Sequence, residues 1–466
     1  MLQKQGVFRS FAAGICLLLL FIFMESAEAA GLQGVRWSSG ADKFRLVLDL
    51  DAVPDYKVTT TADGCQILLD LPATTDARSL QDLKFSDDMV QAVEVSSKAG
   101  GLQVVIRLNT PTSYVVKSLK NPNRLFVDVQ RFFETKTSEE MAPAMVETKY
   151  VRRNEQGMLT AYFLTVDPKQ YLLRPALANG VIAGRDTVGS MSDQNNALAA
   201  VNASYFAPNG EILGLTKING MVVSTTYLPR TGIGFFKDGT PLIGQVSYNG
   251  TVQAGRIKLP IDGVNCERGE NMAVLYNAYY DSRTGTNEYG MEYTIKDNKV
   301  IAQQPSNSVI PQGAVVLSVH GTAKDALAKL KVGDAVQISE DLGMPWNQLP
   351  QIMGIGPRLL QNGAVAVNAE EEQFGQDVAG GRAPRTAVGI LPDHQLLLAV
   401  VDGRQAQSVG CTLTELAQLL KTFGAVDAVN FDGGGSSELV VGGKIINTPS
   451  DGVERRVGSS LLVLKK

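Results

Sequence analysis

The chain has 466 residues, with 43 Lys or Arg against 47 Asp or Glu, which gives a net charge of −4. This length is too great for one ordinary domain and predicts two or three. Hydrophobic residues at 44% and charged residues at 19% are typical of a globular protein and not of a disordered one. No block of five like charges occurs, which argues against a nucleic-acid binder, because phosphate neutralisation needs a clustered basic surface.

The histidine and cysteine content narrows the chemistry. With only His320 and His394, a histidine-rich zinc site or a two-histidine iron site is not expected. The cysteines form no Cys-x-x-Cys pair, which argues against zinc ribbons and iron–sulfur clusters. Three cysteines lie beyond the N-terminal segment: Cys65, Cys266 and Cys411. We expect three free thiols, or one disulfide and one free thiol. We expect no cofactor; a divalent cation held by carboxylates stays open, although no motif supports one.

Residues 1–30 have the pattern of a secretory signal peptide. Lys4 and Arg9 are followed by an apolar run at 11–24 and by Ala-Glu-Ala at 27–29, a small-x-small cleavage pattern. The run is short for a membrane-spanning helix, which needs about 20 residues, so an uncleaved anchor is the less favoured alternative. We predict export to the periplasm or cell envelope, or secretion, with no integral membrane span after signal removal.

A duplicated module follows the signal peptide. Residues 35–71 and 93–129 align without gaps at an offset of 58. Apolar residues alternate with polar ones at 44–50 and again at 102–108, and a period of two predicts half-buried strands. We predict a small all-β sandwich made of two similar halves.

The sequences RLVLDL, Y-x-V and RLFVDV in this module resemble the AMIN domain over residues 31–132. The resemblance implies a non-catalytic module that holds bacterial envelope proteins at peptidoglycan or envelope polysaccharide. The alternative is a β domain that only packs on the rest of the chain. Residues 133–150 are polar with one proline and are predicted to be a linker.

Residues 151–466 alternate strands with occasional helices, which predicts an α+β domain with a mixed or antiparallel sheet and few helices. The clearest helix begins at Thr412, which forms a capping box with Glu415. Buried apolar strands precede and follow it, at 396–402 and 425–432.

A second repeat lies in this domain. The sequence Pro-Arg-Thr-Gly-Ile-Gly at 229–234 recurs as Pro-Arg-Thr-Ala-Val-Gly at 384–389. Both copies are predicted to be a strand, a turn and a strand. Duplication, convergent use of one hairpin design and chance similarity all stay open.

Both buried strands end in an aspartate followed by glycine, at Asp402 and Asp432. A carboxylate there lies at a sheet edge, where glycine lets the backbone pass close to a ligand. A single Asp-Gly pair is more often a turn, but the second is extended by further small residues whose N–H and hydroxyl groups are predicted to face an anion. These residues are Gly433, Gly434, Gly435, Ser436 and Ser437.

Other polar side chains complete the predicted site. Asn202 lies late in an apolar strand, and Asn430 lies two residues before Asp432 on the same side of its strand. Forked donors suited to phosphate or carboxylate are offered by Arg385, Arg404, Arg455 and Arg456.

Seven segments of this domain resemble the phosphodiester glycosidase family in their order along the chain. They are NASYF at 202–206, GPRLL at 356–360, PRTAVG at 384–389, VDGR at 401–404, S-x-G-x-T-L-x-E-L-A at 408–417, NFDGGGSS at 430–437 and PSDGVERRV at 449–457. Residues 235–350 resemble the insertion of longer bacterial members, which are often labelled exopolysaccharide biosynthesis proteins. The resemblance implies a hydrolase that cleaves a sugar-1-phosphodiester of the N-acetylglucosamine-1-phosphate type into free sugar and phosphomonoester, in envelope or extracellular polysaccharide.

The resemblance also implies roles for the predicted residues. Arg385 would bind the phosphate. Of Asp402 and Asp432, one would act as nucleophile or base at the anomeric carbon, and the other as acid or as a ligand of a sugar hydroxyl. The substrate ligands would be Asn202, Arg404, Asn430, Gly433, Gly434, Gly435, Ser436, Ser437 and Arg455. One alternative is a non-catalytic protein that binds envelope glycans or assembles exopolysaccharide. Another is a serine hydrolase using Ser436, which would need a histidine base.

Overall fold

The computed structural model describes residues 29–226 and 228–466 of the chain. The predicted signal peptide lies outside the described residues, except for its last two positions. The chain divides after Gln130 into two compact units. Within the described residues, no helix has both the length and the apolar character that crossing a bilayer requires.

The N-terminal unit is made of strands in its described residues. They are β1 (Ala30–Ser39), β2 (Lys43–Leu50), β3 (Lys57–Thr60), β4 (Gln66–Pro72), β5 (Thr74–Asp76), β6 (Leu83–Lys84), β7 (Val90–Lys98), β8 (Gly101–Leu108), β9 (Tyr114–Leu119) and β10 (Arg124–Gln130). Two five-stranded sheets result, ordered β5-β1-β2-β10-β9 and β3-β4-β8-β7-β6. Both sheets contribute to one core, and Phe44, Leu46 and Leu48 alternate into it as the period of two predicts.

The two halves of the duplication exchange strands. One sheet joins β1 and β2 of the first half to β10 and β9 of the second, and the other joins β3 and β4 to β8 and β7. The antiparallel contacts β2–β10 and β4–β8 therefore each join a strand of one half to a strand of the other, although the counterparts at the offset of 58 are β2 with β8 and β4 with β10. The prediction of a β-sandwich with two similar halves is confirmed.

The C-terminal unit has many strands and few helices, which confirms the predicted fold class. Its first part contains β11 (Phe133–Ala142), β12 (Met145–Asn154), β13 (Gly157–Val166), β14 (Tyr171–Leu177), α1 (Val188–Gln194), β15 (Ala199–Asn202), β16 (Tyr205–Phe206), β17 (Ile212–Leu213), β18 (Leu215–Ile218), β19 (Met221–Ser224), β20 (Arg230–Phe235) and β21 (Pro241–Val246). Its middle part contains β22 (Asn249–Ala254), β23 (Ile257–Ile261), β24 (Gly263–Val264), β25 (Ala273–Tyr276), β26 (Met291–Lys296), β27 (Lys299–Gln304), β28 (Val315–Val319), α2 (Gly321–Ala326) and β29 (Gln337–Asp341). Its last part contains β30 (Gln351–Gly354), β31 (Arg358–Gln361), β32 (Ala364–Val365), α3 (Gln376–Ala379), β33 (Arg385–Ile390), β34 (Leu396–Val401), α4 (Leu413–Thr422), β35 (Asp427–Asn430), β36 (Leu439–Val441), β37 (Lys444–Ile445) and β38 (Ser459–Lys465).

Two sheets frame the main core of this unit. One has eight strands, β11-β12-β13-β34-β33-β35-β31-β32, and the other has five, β14-β38-β15-β36-β37. Side chains of both sheets fill the core between them, with Phe431 and Leu398 fully buried. On its other face the eight-stranded sheet packs against α4, whose predicted capping box of Thr412 and Glu415 is present.

The middle part has a core of its own. The sheets β23-β22-β29 and β24-β25-β28-β26-β27 pack together around Val252, Leu275 and Leu317. Residues of β18, β21 and β30 also belong to this core. This region lies within residues 235–350, the stretch that resembles an insertion.

The prediction of a linker at 133–150 is wrong. These residues form β11 and most of β12, and β12 pairs with β13 along its whole length. Met145 and Tyr150 are buried in the unit, whereas the side chains of β11 are exposed because it is an edge strand. An edge strand tolerates the polar composition of a linker, so composition could not separate the two.

The Pro-Arg-Thr repeat forms two antiparallel hairpins, β20–β21 and β33–β34, as predicted. Each hairpin begins with the arginine of the repeat, Arg230 in one and Arg385 in the other. The hairpins belong to different sheets.

Candidate active site

Asp432 follows β35, and the fold fixes its backbone from both sides. Its N–H donates to the oxygen of Ala203 at 2.8 Å, and its own oxygen accepts from Nδ2 of Asn202 at 2.7 Å. The side chain is half-buried, and its Oδ1 accepts from the N–H of Gly433 at 2.9 Å. The carboxylate is therefore held at the strand end, as the sequence predicts.

The environment of Asp432 makes it a candidate for proton transfer. Burial raises the pKa of this carboxyl to about 6, against hydrogen bonds from Ser436 and Gly433 and the charge of Arg455. The negative charge of Asp377 also raises the pKa. A carboxyl group that titrates near neutral pH can serve as an acid or as a base.

The glycine run does not form the open anion cradle that the sequence predicts. Residues 434–436 make a 3₁₀ turn, in which Ser436 and Ser437 donate their N–H groups to the oxygens of Gly433 and Gly434 at 3.2 Å each. The N–H of Gly434 donates to the oxygen of Pro384 at 2.9 Å. These donors are used within the protein, because the turn folds back on itself.

The glycines instead allow two arginines to lie over the turn. A Cβ on Gly435 would lie 2.0 Å from Nη2 of Arg455, and one on Gly434, whose φ is +62°, would lie 3.4 Å from Nη1 of Arg404. Arg455 also pairs with Asp451 at 2.6 Å, whereas Arg404 is exposed. Two guanidinium groups thus lie at the surface beside the turn that follows Asp432.

Arg385 does not reach the surface in this structure, and its predicted direct contact with phosphate stays a prediction. It is 3% exposed, and it donates to three backbone oxygens: Cys411 at 3.2 Å, Val378 at 2.8 Å and Gly381 at 3.1 Å. Burial lowers the pKa of its guanidinium. Arg385 therefore supports the backbone of the loop at 375–381.

That loop brings in a carboxylate that the sequence analysis missed. Asp377 is exposed on α3, and its charge acts on Asp432. Its position depends on Arg385, which binds the next residue, Val378. No sequence signal marked Asp377, because its short helix lies outside every family segment.

Asp402, predicted to act with Asp432, is buried at 1% exposure. Its Oδ1 accepts from Nδ2 of Asn447 at 3.1 Å and from the N–H of Thr448 at 3.0 Å. Burial raises the pKa of this carboxyl to about 6, although these hydrogen bonds oppose the shift. Asp402 thus holds the loop at 447–448, and within the described residues it shares no hydrogen-bonding partner with Asp432; its predicted catalytic role stays a prediction.

Asn202 is also a supporting residue. It is fully buried, and its Oδ1 accepts from the hydroxyl of Thr386 at 2.8 Å and from the N–H of Glu438 at 3.0 Å. Its amide binds protein partners in this structure, and its predicted contact with substrate stays a prediction.

Asn430 is buried beside Tyr205, another residue that was not singled out. Its Nδ2 donates to the Tyr205 hydroxyl at 2.8 Å, while its Oδ1 is buried without a partner. Burial and the charge of Asp432 raise the pKa of Tyr205, which places this phenol within electrostatic reach of the Asp432 carboxylate. Tyr205 belongs to the NASYF segment, so the motif contained the signal.

A buried pair of carboxyl groups was also missed. Glu438 is 2% exposed and lies against Glu454, whose Oε1 accepts from the N–H of Gly189 at 2.8 Å. Burial and the neighbouring carboxylate raise the pKa of Glu438 to about 9. Glu454 precedes Arg455, so the pair fixes the segment that carries this arginine.

Ser436 and Ser437 are both buried at 2% exposure, and Ser436 is hydrogen-bonded to Asp432. His394 lies in an exposed turn and His320 at the start of α2, away from Ser436 in the sheet topology, which disfavours the serine-hydrolase alternative. Among the described residues, no three His, Cys, Asp or Glu side chains are grouped so as to hold a metal ion.

Comparison with known proteins agrees with the fold and the motifs. Residues 270–464 match the phosphodiester glycosidase family, and residues 34–129 match the AMIN domain. The resemblance to these two families, found from the sequence, is thus confirmed. The glycosidase match begins at residue 270, inside the stretch that resembles an insertion.

Individual relatives cover only part of the chain. The SPbeta prophage-derived uncharacterized protein YomE of Bacillus subtilis is 42% identical over 80 residues, 17% of this chain and 12% of YomE. The N-acetylglucosamine-1-phosphodiester alpha-N-acetylglucosaminidase of Mus musculus is 30% identical over 156 residues, 31% of this chain and 30% of the mouse protein. The matched region thus spans less than a third of each curated relative.

A solved structure shows the same fold over most of the chain. This hypothetical protein from Synechocystis superposes with a TM-score of 0.64 at 22% identity, covering 94% of this chain and 81% of the other.

Proposed function

We propose that this protein is an exported hydrolase that cleaves a sugar-1-phosphodiester into the free sugar and a phosphomonoester. The observation that carries the proposal is the half-buried Asp432, whose carboxyl pKa is raised to about 6, beside a turn overlain by Arg404 and Arg455. The family match supports the reaction class, and the mouse relative supports N-acetylglucosamine as the first sugar to test.

In this mechanism Asp432 acts on the anomeric carbon, as nucleophile or as base for water. Arg404 and Arg455 bind the phosphate and stabilise the negative charge left on it when the bond to the sugar breaks. Asp377 is the second carboxylate at this surface and acts as acid or as a ligand of a sugar hydroxyl. These groups are held in place by three buried residues, Arg385, Asp402 and Asn202.

The AMIN domain supports a location in the periplasm or cell envelope, with peptidoglycan or envelope polysaccharide as its binding partner. The substrate is then a phosphodiester in envelope or extracellular polysaccharide, as in exopolysaccharide biosynthesis.

The proposal is tested by incubating the protein with a panel of sugar-1-phosphodiesters, led by α-N-acetylglucosamine-1-phospho-methyl ester. Release of sugar and phosphomonoester in equal amounts is expected. No release from any donor, together with retention on peptidoglycan or polysaccharide, would instead favour a non-catalytic envelope protein.

A further inference from the structure

Arg230, the counterpart of Arg385 in the Pro-Arg-Thr repeat, has no role in the site described above. Its guanidinium carbon lies 4.0 Å from the centre of the Phe374 ring, and its Nε is buried without a hydrogen-bond partner. Within the described part of the chain, no carboxylate forms an ion pair with it. A guanidinium stacked on an aromatic ring keeps its fork of donors free for a planar anion.

Arg230 lines a cavity of about 320 Å³, a volume at the lower end of the range for small-molecule sites. Two carboxylates, Glu211 and Asp262, line the same cavity together with the hydroxyls of Thr225 and Thr226. Asp262 uses Oδ2 to accept from the N–H of Ala273 at 2.7 Å, and no protein donor in the described residues binds its Oδ1. The cavity thus combines one cation with acceptors for hydroxyl groups.

The aromatic cluster around Arg230 links this cavity to the candidate active site. The rings of Phe374 and Tyr205 are 5.6 Å apart, and Nδ2 of Asn430 binds the Tyr205 hydroxyl. Arg230 and Asp432 have opposite effects on the pKa of Tyr205, so both charges lie within reach of this phenol. Arg230, through the Phe374 ring, and Asp432 therefore both lie near Tyr205.

Unpartnered acceptors border the same rings. Oδ1 of Asn430 and Oε2 of Glu372 are buried without hydrogen-bond partners, at exposures of 1% and 2%. A Cβ on Gly356 would lie 2.1 Å from Oε2 of Glu372 and 3.0 Å from the Phe374 ring, so this oxygen lies beside the cluster. Buried acceptors without donors are uncommon in folded proteins and are expected where a ligand supplies the hydrogen bonds.

We propose that the Arg230 cavity is a subsite for a second anionic group of the substrate, so that the protein acts on an acidic glycan. Arg230 would bind the carboxylate or phosphate of a neighbouring sugar, and Glu211 and Asp262 would accept from its hydroxyls. The inference rests on the proposed function and extends it, because the phosphodiester at Asp432 would then be one of two acidic groups of the substrate that the protein binds.

Direct binding tests this subsite without depending on turnover. The full chain carrying Asp432→Asn is titrated calorimetrically with glucuronic acid, N-acetylglucosamine 6-phosphate and neutral N-acetylglucosamine. We expect at least one of the two acids to bind about tenfold more tightly than the neutral sugar, and Arg230→Gln to remove that preference, as loss of a charge-assisted hydrogen bond predicts. Arg230→Lys keeps the charge but loses the forked donors, so its preference for the acid is expected to lie between those of Arg230 and Arg230→Gln.

The matched control is Arg256→Gln, which removes an exposed arginine from the turn between β22 and β23 and should leave every affinity unchanged. Preference for glucuronic acid would identify a uronate as the second anion, and preference for the sugar phosphate a second phosphate. Retention of the preference in folded Arg230→Gln, or equal binding of acids and neutral sugar, would overturn the subsite. If the wild-type protein releases no sugar but still binds the acids through Arg230, the proposed hydrolase activity is rejected and the subsite is retained.

Discussion

Nδ2 of Asn202 donates to the backbone oxygen of Asp432 at 2.7 Å, which joins the end of β15 to the residue that follows β35. The same amide accepts from Thr386 and from the N–H of Glu438. One fully buried side chain therefore ties three segments of the candidate active site together, and the geometry of Asp432 depends on it.

Asn202→Ala is expected to lower the free energy of unfolding by about 2–3 kcal/mol, because it leaves buried partners unsatisfied. It should also lower kcat by about tenfold or more with a smaller change in KM, because Asp432 loses its position. Urea unfolding and steady-state kinetics measure the two effects.

Asn277→Ala is the control for this variant, because Asn277 is also buried and its Nδ2 donates to the oxygen of Val222, in the core of the middle part. It should lower stability without lowering kcat. Equal losses of kcat in both variants would show that Asn202 contributes to stability only.

Asp377→Asn is expected to move the pH–rate profile to lower pH. The charge of Asp377 raises the pKa of Asp432, so its removal should lower the midpoint near pH 6 that Asp432 produces in kcat/KM. A shift of roughly 0.2–0.7 pH unit corresponds to an interaction between charges near the surface. Asp393→Asn, in the exposed turn between β33 and β34, should leave the midpoint where it is, and an unchanged midpoint in Asp377→Asn would remove Asp377 from the site.

Glu438→Gln is expected to stabilise the protein increasingly as the pH rises. The pKa of Glu438 is about 9 in the folded chain and near the ordinary glutamate value of 4.5 in the unfolded chain. Below pH 4.5 both states hold the proton, and between pH 4.5 and about 9 only the folded state keeps it, so the wild-type free energy of unfolding falls over this window.

Glutamine cannot ionise, so the variant should gain roughly 4–5 kcal/mol over the wild type between pH 4.5 and pH 8. Thermal unfolding at several pH values measures this difference, with Glu370→Gln as the exposed control. A difference that does not change with pH would contradict a shared proton between Glu438 and Glu454.

Local patterns predicted the features that depend on neighbouring residues. The period of two at 44–50 gave the strands of the sandwich, and Thr412 with Glu415 gave the start of α4. Asp432 was found because a buried strand followed by three glycines is itself a local signal.

The features that the sequence did not predict depend on contacts between segments that are distant along the chain. Asp402 and Asp432 have the same local pattern, and only the partners of Asp402 at 447–448 separate their roles. Arg385 is buried against backbone oxygens of two other segments, the loop at 375–381 and Cys411, and Asp377 enters the site through that loop. Residues 133–150 read as a linker because an edge strand exposes its polar side chains.

In the proposed mechanism Asp432 performs the chemistry, while Asp402 holds the surrounding backbone in place. The most direct measurement compares Asp432→Asn with Asp402→Asn in the release of sugar from a sugar-1-phosphodiester, after circular dichroism has shown that both variants are folded. Asp432→Asn should lower turnover by about a hundredfold or more, as loss of an acid–base or nucleophilic group predicts. Asp402→Asn should stay within about tenfold of the wild type, because asparagine keeps an oxygen that accepts from Thr448. Near-normal turnover in Asp432→Asn, or an equal loss in folded Asp402→Asn, would contradict the account.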